Sequence, residues 1–259
     1  MSIKNKILLI ISVVLIMVWY WQSRSEVMPK VIFCNVGQGD AILVTKGKFQ
    51  MLIDTGPDNK KVFSCLGKYM PFLDKKIEMV ILTHFDKDHA GSLFELYNNY
   101  KIDNLLATYK PQGEFEQFNY SKYLSENDVL SSDWFYFEVL SPEKVESGEI
   151  DANELSLVAK LIIEDKKFLL TGDASSEVEQ RLIWRKKIDE DFDVLKVGHH
   201  GSRTSTGIDL LDKIRPEVAV VSVGKNSFGH PDRGVMYEME KRGIEIYRTD
   251  KDGNVVIKF

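Results

Sequence analysis

Residues 80–92, VILTHFDKDHAGS, constrain the fold and chemistry of this chain more than any other stretch. The apolar run at 79–82 has the composition of a buried strand. It ends in His84, Asp86, Asp88 and His89, followed by a small-residue turn at Ala90 and Gly91. Imidazole and carboxylate together suit zinc, manganese or iron, and a strand end leading into a tight loop converges such ligands on one point. A loop that only met solvent would have no use for two histidines and two aspartates so closely interleaved.

Four further pieces place polar residues after an apolar run or before a proline turn: Asp54 in LIDTG, Asp173 in LLTGD, His199 and His200 in LKVGHHGS, and His230 in FGHP. The chain has 5 histidines, and all of them fall in these pieces or in the first loop. Strand ends bring distant residues to one rim, where sites of layered α/β proteins gather.

Between these pieces the pattern is one of short strands, with helices appearing later. Strands are expected at 31–36, 41–44 and 49–53, the first two joined by VGQGD, then a helix at 60–69, a strand at 77–82, a helix at 92–100 and a strand at 102–108. Residues 110–133 are polar and aromatic without a clean period and read as a loop over the site. The scheme then repeats: strands at 134–140, 155–163 and 167–170, a helix at 176–185 capped by Ser175, a strand at 194–197, a helix at 208–214, a strand at 218–223, a helix at 234–242 and strands at 244–247 and 255–259. Two sheets with helices outside would bury these strands. No short-period repeat or low-complexity tract interrupts them.

The net charge is −5, which excludes a global basic field for nucleic acid, so any polyanionic substrate must be held locally. Cys34 and Cys65 sit in unrelated contexts, a strand and a helix, and are expected as free core thiols. At the N-terminus Lys4 and Lys6 precede an uncharged run of 15 residues, Ile7 to Trp21, with no cleavage signal after it. Residues 1–24 are expected to form an uncleaved single-pass membrane anchor with an interfacial Trp19-Tyr20-Trp21 cluster. Charge bias places the rest, a hydrolase domain over 28–259, outside the cytoplasm, or secreted if the segment is cleaved.

The signature His84-Phe85-Asp86-Lys87-Asp88-His89 resembles the HxHxDH motif of the metallo-β-lactamase fold hydrolases, with Asp86 in place of the second histidine. Together with VGQGDA, LIDTG, NELSLV, LLTGD, LKVGHHGS, GHP, YRTD and GNVVI, it is similar to the extracellular domain of ComEC-type DNA-internalisation competence proteins over 28–259. Those proteins carry many membrane helices and this chain one candidate segment, so it is not itself a DNA channel. The resemblance implies a four-layer αββα sandwich of the α/β class with a dinuclear metal centre at its rim. His84 and Asp86 would hold one metal and Asp88 and His89 the other, with Asp173 bridging and Asp54 orienting a ligand. His199 is preferred as the ligand completing the second site, with His200 facing substrate or a neighbour, although sequence leaves the choice between them open. No histidine lies between His89 and His199, where most relatives place another ligand. Asn153 is the natural occupant of that position, as an oxygen ligand, a substrate contact or a plain turn residue. An oxygen-rich first site shifts preference from zinc toward manganese or magnesium.

Such a centre suits hydrolysis of phosphodiesters, with Asp88, His200 and His230 as catalytic residues. Lys196, Arg203 and Lys225 are available for phosphate, and Asp40, Ser202 and Asn226 for support of the site or contact with substrate. No GxSxG elbow supports a serine nucleophile. The expected activity is that of a competence-related DNA nuclease. The alternatives are a phosphodiesterase on a cell-envelope polymer such as teichoic acid, and a silent binding module. A β-lactamase is disfavoured by the missing histidines, and no protein partner is legible.

Overall fold

The computed structural model describes residues 3–143 and 153–259. The first sheet is built from β1 (Lys30–Phe33), β2 (Ile42–Lys46), β3 (Phe49–Ile53), β4 (Lys76–Leu82), β5 (Lys101–Ala107) and β6 (Lys122–Tyr123). The second takes β7 (Val129–Ser131), β8 (Phe135–Ser141), β9 (Val158–Ile163), β10 (Lys166–Leu170), β11 (Val194–Lys196), β12 (Val218–Val221) and β13 (Glu245–Arg248). The last strand, β14 (Val255–Lys258), returns to the first sheet, which runs β14-β1-β2-β3-β4-β5-β6, while the second runs β13-β12-β11-β10-β9-β8-β7. Eight helices accompany them among the described residues: α1 (Ile3–Val27), α2 (Lys61–Tyr69), α3 (Lys87–Ala90), α4 (Leu93–Asn99), α5 (Ser176–Trp184), α6 (Ile208–Ile214), α7 (Arg233–Lys241) and α8 (Thr249–Asp252).

Strand alternation explains the layering. In β1, Val31 and Phe33 join the cluster between the sheets, whereas Ile32 faces the helix side. Ile53 and Ile81 likewise point between the sheets, meeting Phe137, Leu161 and Phe168, and Leu52, Val80 and Leu82 point out toward α2 and α4. On the other side Leu169, Leu195 and Val221 pack under α5, α6 and α7. Both faces of each sheet are covered, so the strands read as near-continuous apolar runs. The result is the expected αββα sandwich of two mixed sheets.

Three expectations are corrected. Cys34 and Cys65 are disulfide-bonded, with Cα atoms 5.9 Å apart, not free thiols. Strand parity turns Cys34 to the helix side of the first sheet, and Cys65 shares the buried face of α2 with Val62 and Leu66, so the two meet in one layer. Residues 110–133 are not only a loop: they hold a 3₁₀ turn and end in β6 and β7, the edge strands of the two sheets. Finally, no helix among the described residues is long and apolar enough to cross a membrane. The single-pass anchor and the membrane location drawn from it are therefore not supported. Helix α1 has 25 residues, but its uncharged run from Ile7 to Trp21 has only 15. At ~1.5 Å per residue that run falls short of a hydrocarbon core ~30 Å thick.

Candidate functional site

Two sets of parallel strands, β3-β4-β5 and β10-β11-β12-β13, point their carboxyl ends at one rim. Every candidate loop leaves from there, as expected where strand ends converge. Two glycines allow the loops to pack this tightly. A Cβ on Gly39 would lie 2.2 Å from the Asp88 carbonyl, and the amide of Asp40 donates to that carbonyl at 3.1 Å. Gly172, at φ +49°, leaves room for the hydroxyl of Ser156, which accepts a hydrogen bond from the Asp173 amide at 2.9 Å.

Asp54 anchors the first loop. Its Oδ1 accepts from the Thr83 amide at 2.8 Å and its Oδ2 from the Thr83 hydroxyl at 2.7 Å. Nδ1 of His89 lies 2.7 Å from the same Oδ2, and because the carboxylate only accepts, this nitrogen carries the proton. The Thr83 hydroxyl also lies 3.0 Å from Nδ1 of His84. Since that hydroxyl already donates to Asp54, His84 is the donor there, and the Nε2 lone pairs of both histidines turn into the site. The rings of His84 and His89 lie 4.0 Å apart.

The second sheet closes the pocket. Nδ1 of His200 donates to the Ser222 carbonyl at 2.8 Å, which aims its Nε2 at Asp88 Oδ2, 3.2 Å away, and Asp173 Oδ2, 3.5 Å away. Nε2 of His89 is 3.3 Å from the same Asp173 oxygen. Asp173, His84, His89 and His200 are all buried. Asp40, His89, Asp173 and His200 offer atoms lying within 4.8 Å of one another, a candidate metal site. Asp40 nevertheless approaches His89 and His200 from their Nδ1 edges, at 3.8 and 3.7 Å, and pairs with buried Lys196. It forms the floor of the pocket. Lys196 also donates to the Gly172 carbonyl at 2.9 Å and lies 3.8 Å from Asp173 Oδ1.

The electrostatics of the pocket call for a cation. Burial raises the Asp173 carboxyl, but His89, His200 and Lys196 outweigh it and hold the group well below its ordinary range. Burial opposes charge on His89 too, yet Asp173 and Asp54 raise it well above the usual imidazole value. Asp88 is likewise raised by burial and then lowered to about 2, chiefly by its hydrogen bond to His200. The carboxylates thus draw positive charge inward. Nε2 of His84, Nε2 of His89 and Oδ1 of Asp173 are buried without a hydrogen-bond partner. Buried nitrogen and oxygen atoms left without partners in this way fit a divalent metal ion, whose charge would take the place of the proton that the carboxylates draw onto His89.

The remaining candidates lie around this pocket. Asp86 stands at its mouth, with its side chain 56 % exposed and one oxygen 3.7 Å from Nε2 of His84. Nε2 of His199 is 3.7 Å from Asp173, but its side chain is 29 % exposed against 1 % for His200. The ring of His230 is 5.5 Å from that of His199. Asn226 shapes the His230 loop: its Oδ1 accepts from the amides of Phe228, Gly229 and His230, and its Nδ2 donates to the carbonyls of Gly224 and His230. The Asn153 carbonyl accepts from the Ser156 amide, which sets that segment behind Asp173. Ser202 shares a hydrogen bond with Thr204 at 2.9 Å and belongs to the local turn. Sequence reasoning missed Thr83, the bridge between three site residues. Its position between the strand and His84 was the available signal.

Residues 34–225 match the family described as the metallo-beta-lactamase superfamily. The chain belongs to that superfamily. It is 31 % identical over 256 residues to ComE operon protein 3 of Bacillus subtilis, covering 87 % of this chain and 32 % of the relative. It is 32 % identical over 232 residues to Recombination protein 2 of Haemophilus influenzae, covering 87 % and 28 %, and 30 % identical over 249 residues to Competence protein ComA of Neisseria gonorrhoeae, covering 93 % and 34 %. This metallo-β-lactamase chain thus spans about a third of the length of these relatives. Among solved structures, the metallo-beta-lactamase fold protein YhfI of Bacillus subtilis superposes with a TM-score of 0.61 at 13 % identity, covering 89 % of this chain and 100 % of its own. Zinc-bound PqqB of Methylobacterium extorquens gives 0.59 at 14 % identity, covering 90 % and 100 %. At these identities the likeness concerns the fold. The superfamily implies a metal-dependent hydrolase.

Proposed function

We propose that the chain is a divalent-metal-dependent phosphodiesterase acting on DNA. The observation that carries this reading is the convergence of three imidazole Nε2 atoms and the carboxylates of Asp88 and Asp173 in one pocket at the sheet rim. The similarity to competence and recombination proteins favours DNA as the polymer. Asp88, His89, Asp173 and His200 would hold one ion, and His84, Asp86 and Asp173 another. His200, rather than the His199 that the resemblance favours, is the ligand in this reading because it is buried and already oriented by Ser222. Bound divalent ions supply an activated water and neutralise charge on the phosphoryl oxygens.

The chain's own residues do the rest. Asp54 and Thr83 fix the tautomers of His89 and His84, and the Ser222 carbonyl fixes that of His200. The Lys196–Asp40 pair sets the charge beneath Asp173. His199 and His230 face the opening, in position to bind a phosphoryl oxygen or pass a proton to the leaving oxygen. With a carboxylate and an imidazole rather than two imidazoles from the first loop, the His84 and Asp86 site leans to manganese.

The test is hydrolysis of single- and double-stranded DNA and of bis-p-nitrophenyl phosphate with manganese, magnesium or zinc, beside Asp88→Ala and His89→Ala. Metal-dependent DNA cleavage abolished in both variants is expected. Turnover of the small diester without DNA cleavage would redirect the reading to another phosphodiester polymer, and no turnover with any metal would refute it.

A further inference from the structure

Beyond His230 the rim continues into a cleft of about 480 Å³ between α7, α8 and β13. It starts at the candidate metal pocket, because His230 lines it and stands beside His199. Its walls carry three cations, Arg233, Arg248 and Lys251, against one carboxylate, Glu240. Arg248 is paired with Asp250, through Nε at 3.0 Å and Nη2 at 2.8 Å. Arg233 and Lys251 are exposed and have no ion pair among the described residues. The neighbouring carboxylates are engaged elsewhere, Asp232 with the Gly234 amide, Asp250 with Arg248 and Asp252 with the Arg248 amide, which leaves Arg233 and Lys251, among the described residues, as cations outside any ion pair beside the site.

Two aromatic faces flank this cleft. Tyr237, on its wall, is 61 % exposed, and Phe228, outside the lining, is 74 % exposed with its ring 5.7 Å from that of His230, which lines the cleft. Neither ring is needed by the core. Side chains that combine backbone-neutralising charge with free aromatic faces suit a strand whose bases are unstacked, because a duplex keeps its base faces buried.

We propose that this cleft is a binding subsite for single-stranded nucleic acid, which carries the strand away from the metal pocket. Arg233 and Lys251 contact successive phosphates there, and Tyr237 and Phe228 stack on bases. The proposal rests on the reading of the site as a DNA phosphodiesterase and names the form of the polymer it takes.

The experiment is fluorescence anisotropy of the full chain in EDTA with a labelled thymidine oligonucleotide about twenty nucleotides long, beyond the usual single-strand site size. The Arg233→Glu/Lys251→Glu variant is expected to bind about tenfold or more weakly. Its slope of log affinity against log salt should fall by about 1.4, two phosphate contacts at ~0.7 each. Tyr237→Ala is expected to lose about fivefold or more, the loss of one stacked base. A control with the same charge change at the opposite rim, Lys48→Glu/Lys166→Glu, should bind within about twofold of the wild type, because the effect is local and not one of net charge. Wild-type affinity in Arg233→Glu/Lys251→Glu, an equal loss in the control, or tighter binding of duplex than of single strand would overturn the proposal. Because binding is read with metal chelated, absence of hydrolysis would sink the enzymatic reading alone, and unchanged binding in the charge-reversed variant would sink the cleft alone.

Discussion

Thr83 shows how much of the pocket depends on one hydroxyl. It donates to Asp54 while standing beside the Nδ1 atoms of both His84 and His89. Partners of this kind orient metal-binding imidazoles, and their loss commonly costs 10–100-fold in metal affinity. Thr83→Val keeps the shape and removes the hydroxyl, and should weaken manganese binding by about that factor without unfolding the chain, as read by calorimetric titration and thermal melting. Wild-type affinity in that variant would show the hydroxyl to be incidental. The cluster itself was legible in the sequence because ligand types recur after apolar runs. The choice between His199 and His200 was not. Both residues lie at positive φ, 45° and 55°, so neither strand alternation nor helical periodicity says which ring turns inward.

At the scale of elements, α5 ties the second sheet to the loop that carries those histidines. Glu179 on its inner face is buried and accepts from the amides of Thr206 at 2.7 Å and Gly207 at 2.8 Å. The Thr206 hydroxyl in turn accepts from the amide of Gly198, next to His199. Burial pushes the Glu179 carboxyl up from 4.5 to about 7, with the two amides opposing the rise. Between these values the folded chain holds a proton that the unfolded chain has released. The group's contribution is therefore fully present below about pH 4.5 and is lost as pH rises through about 7. A difference of that size amounts to about 3 kcal/mol. Urea unfolding from pH 5 to 8 should show a decline that is shallower in Glu179→Ala, whereas parallel curves for the two proteins would contradict the assignment. No periodic pattern announced this carboxylate, because a glutamate on a helix ordinarily reads as solvated.

At the scale of the whole molecule, the sandwich was readable because continuous apolar strands bounded by turns leave few ways to bury both faces of two sheets. The Cys34–Cys65 bond was not, because it depends on strand parity meeting helix phase across 31 residues. A crosslink over that separation restrains the unfolded chain by about 4 kcal/mol. The Cys34→Ser/Cys65→Ser variant should therefore melt several degrees lower while keeping its far-ultraviolet circular dichroism. An unchanged melting temperature would mean that the two layers are held by packing alone. The N-terminal segment shows the reverse problem, since apolar composition suggested a span that the length of the uncharged run does not provide.

The central claim, a metal pocket closed by His200 from the second sheet, is tested most directly by titrating manganese into the metal-free full chain, wild type beside His200→Ala and His199→Ala. The account predicts binding by the wild type, weakened about tenfold or more in His200→Ala and changed by less than about threefold in His199→Ala, the difference between losing a ligand and losing a neighbour. Loss of binding in His199→Ala with His200→Ala unaffected, or no binding by the wild type, would contradict it.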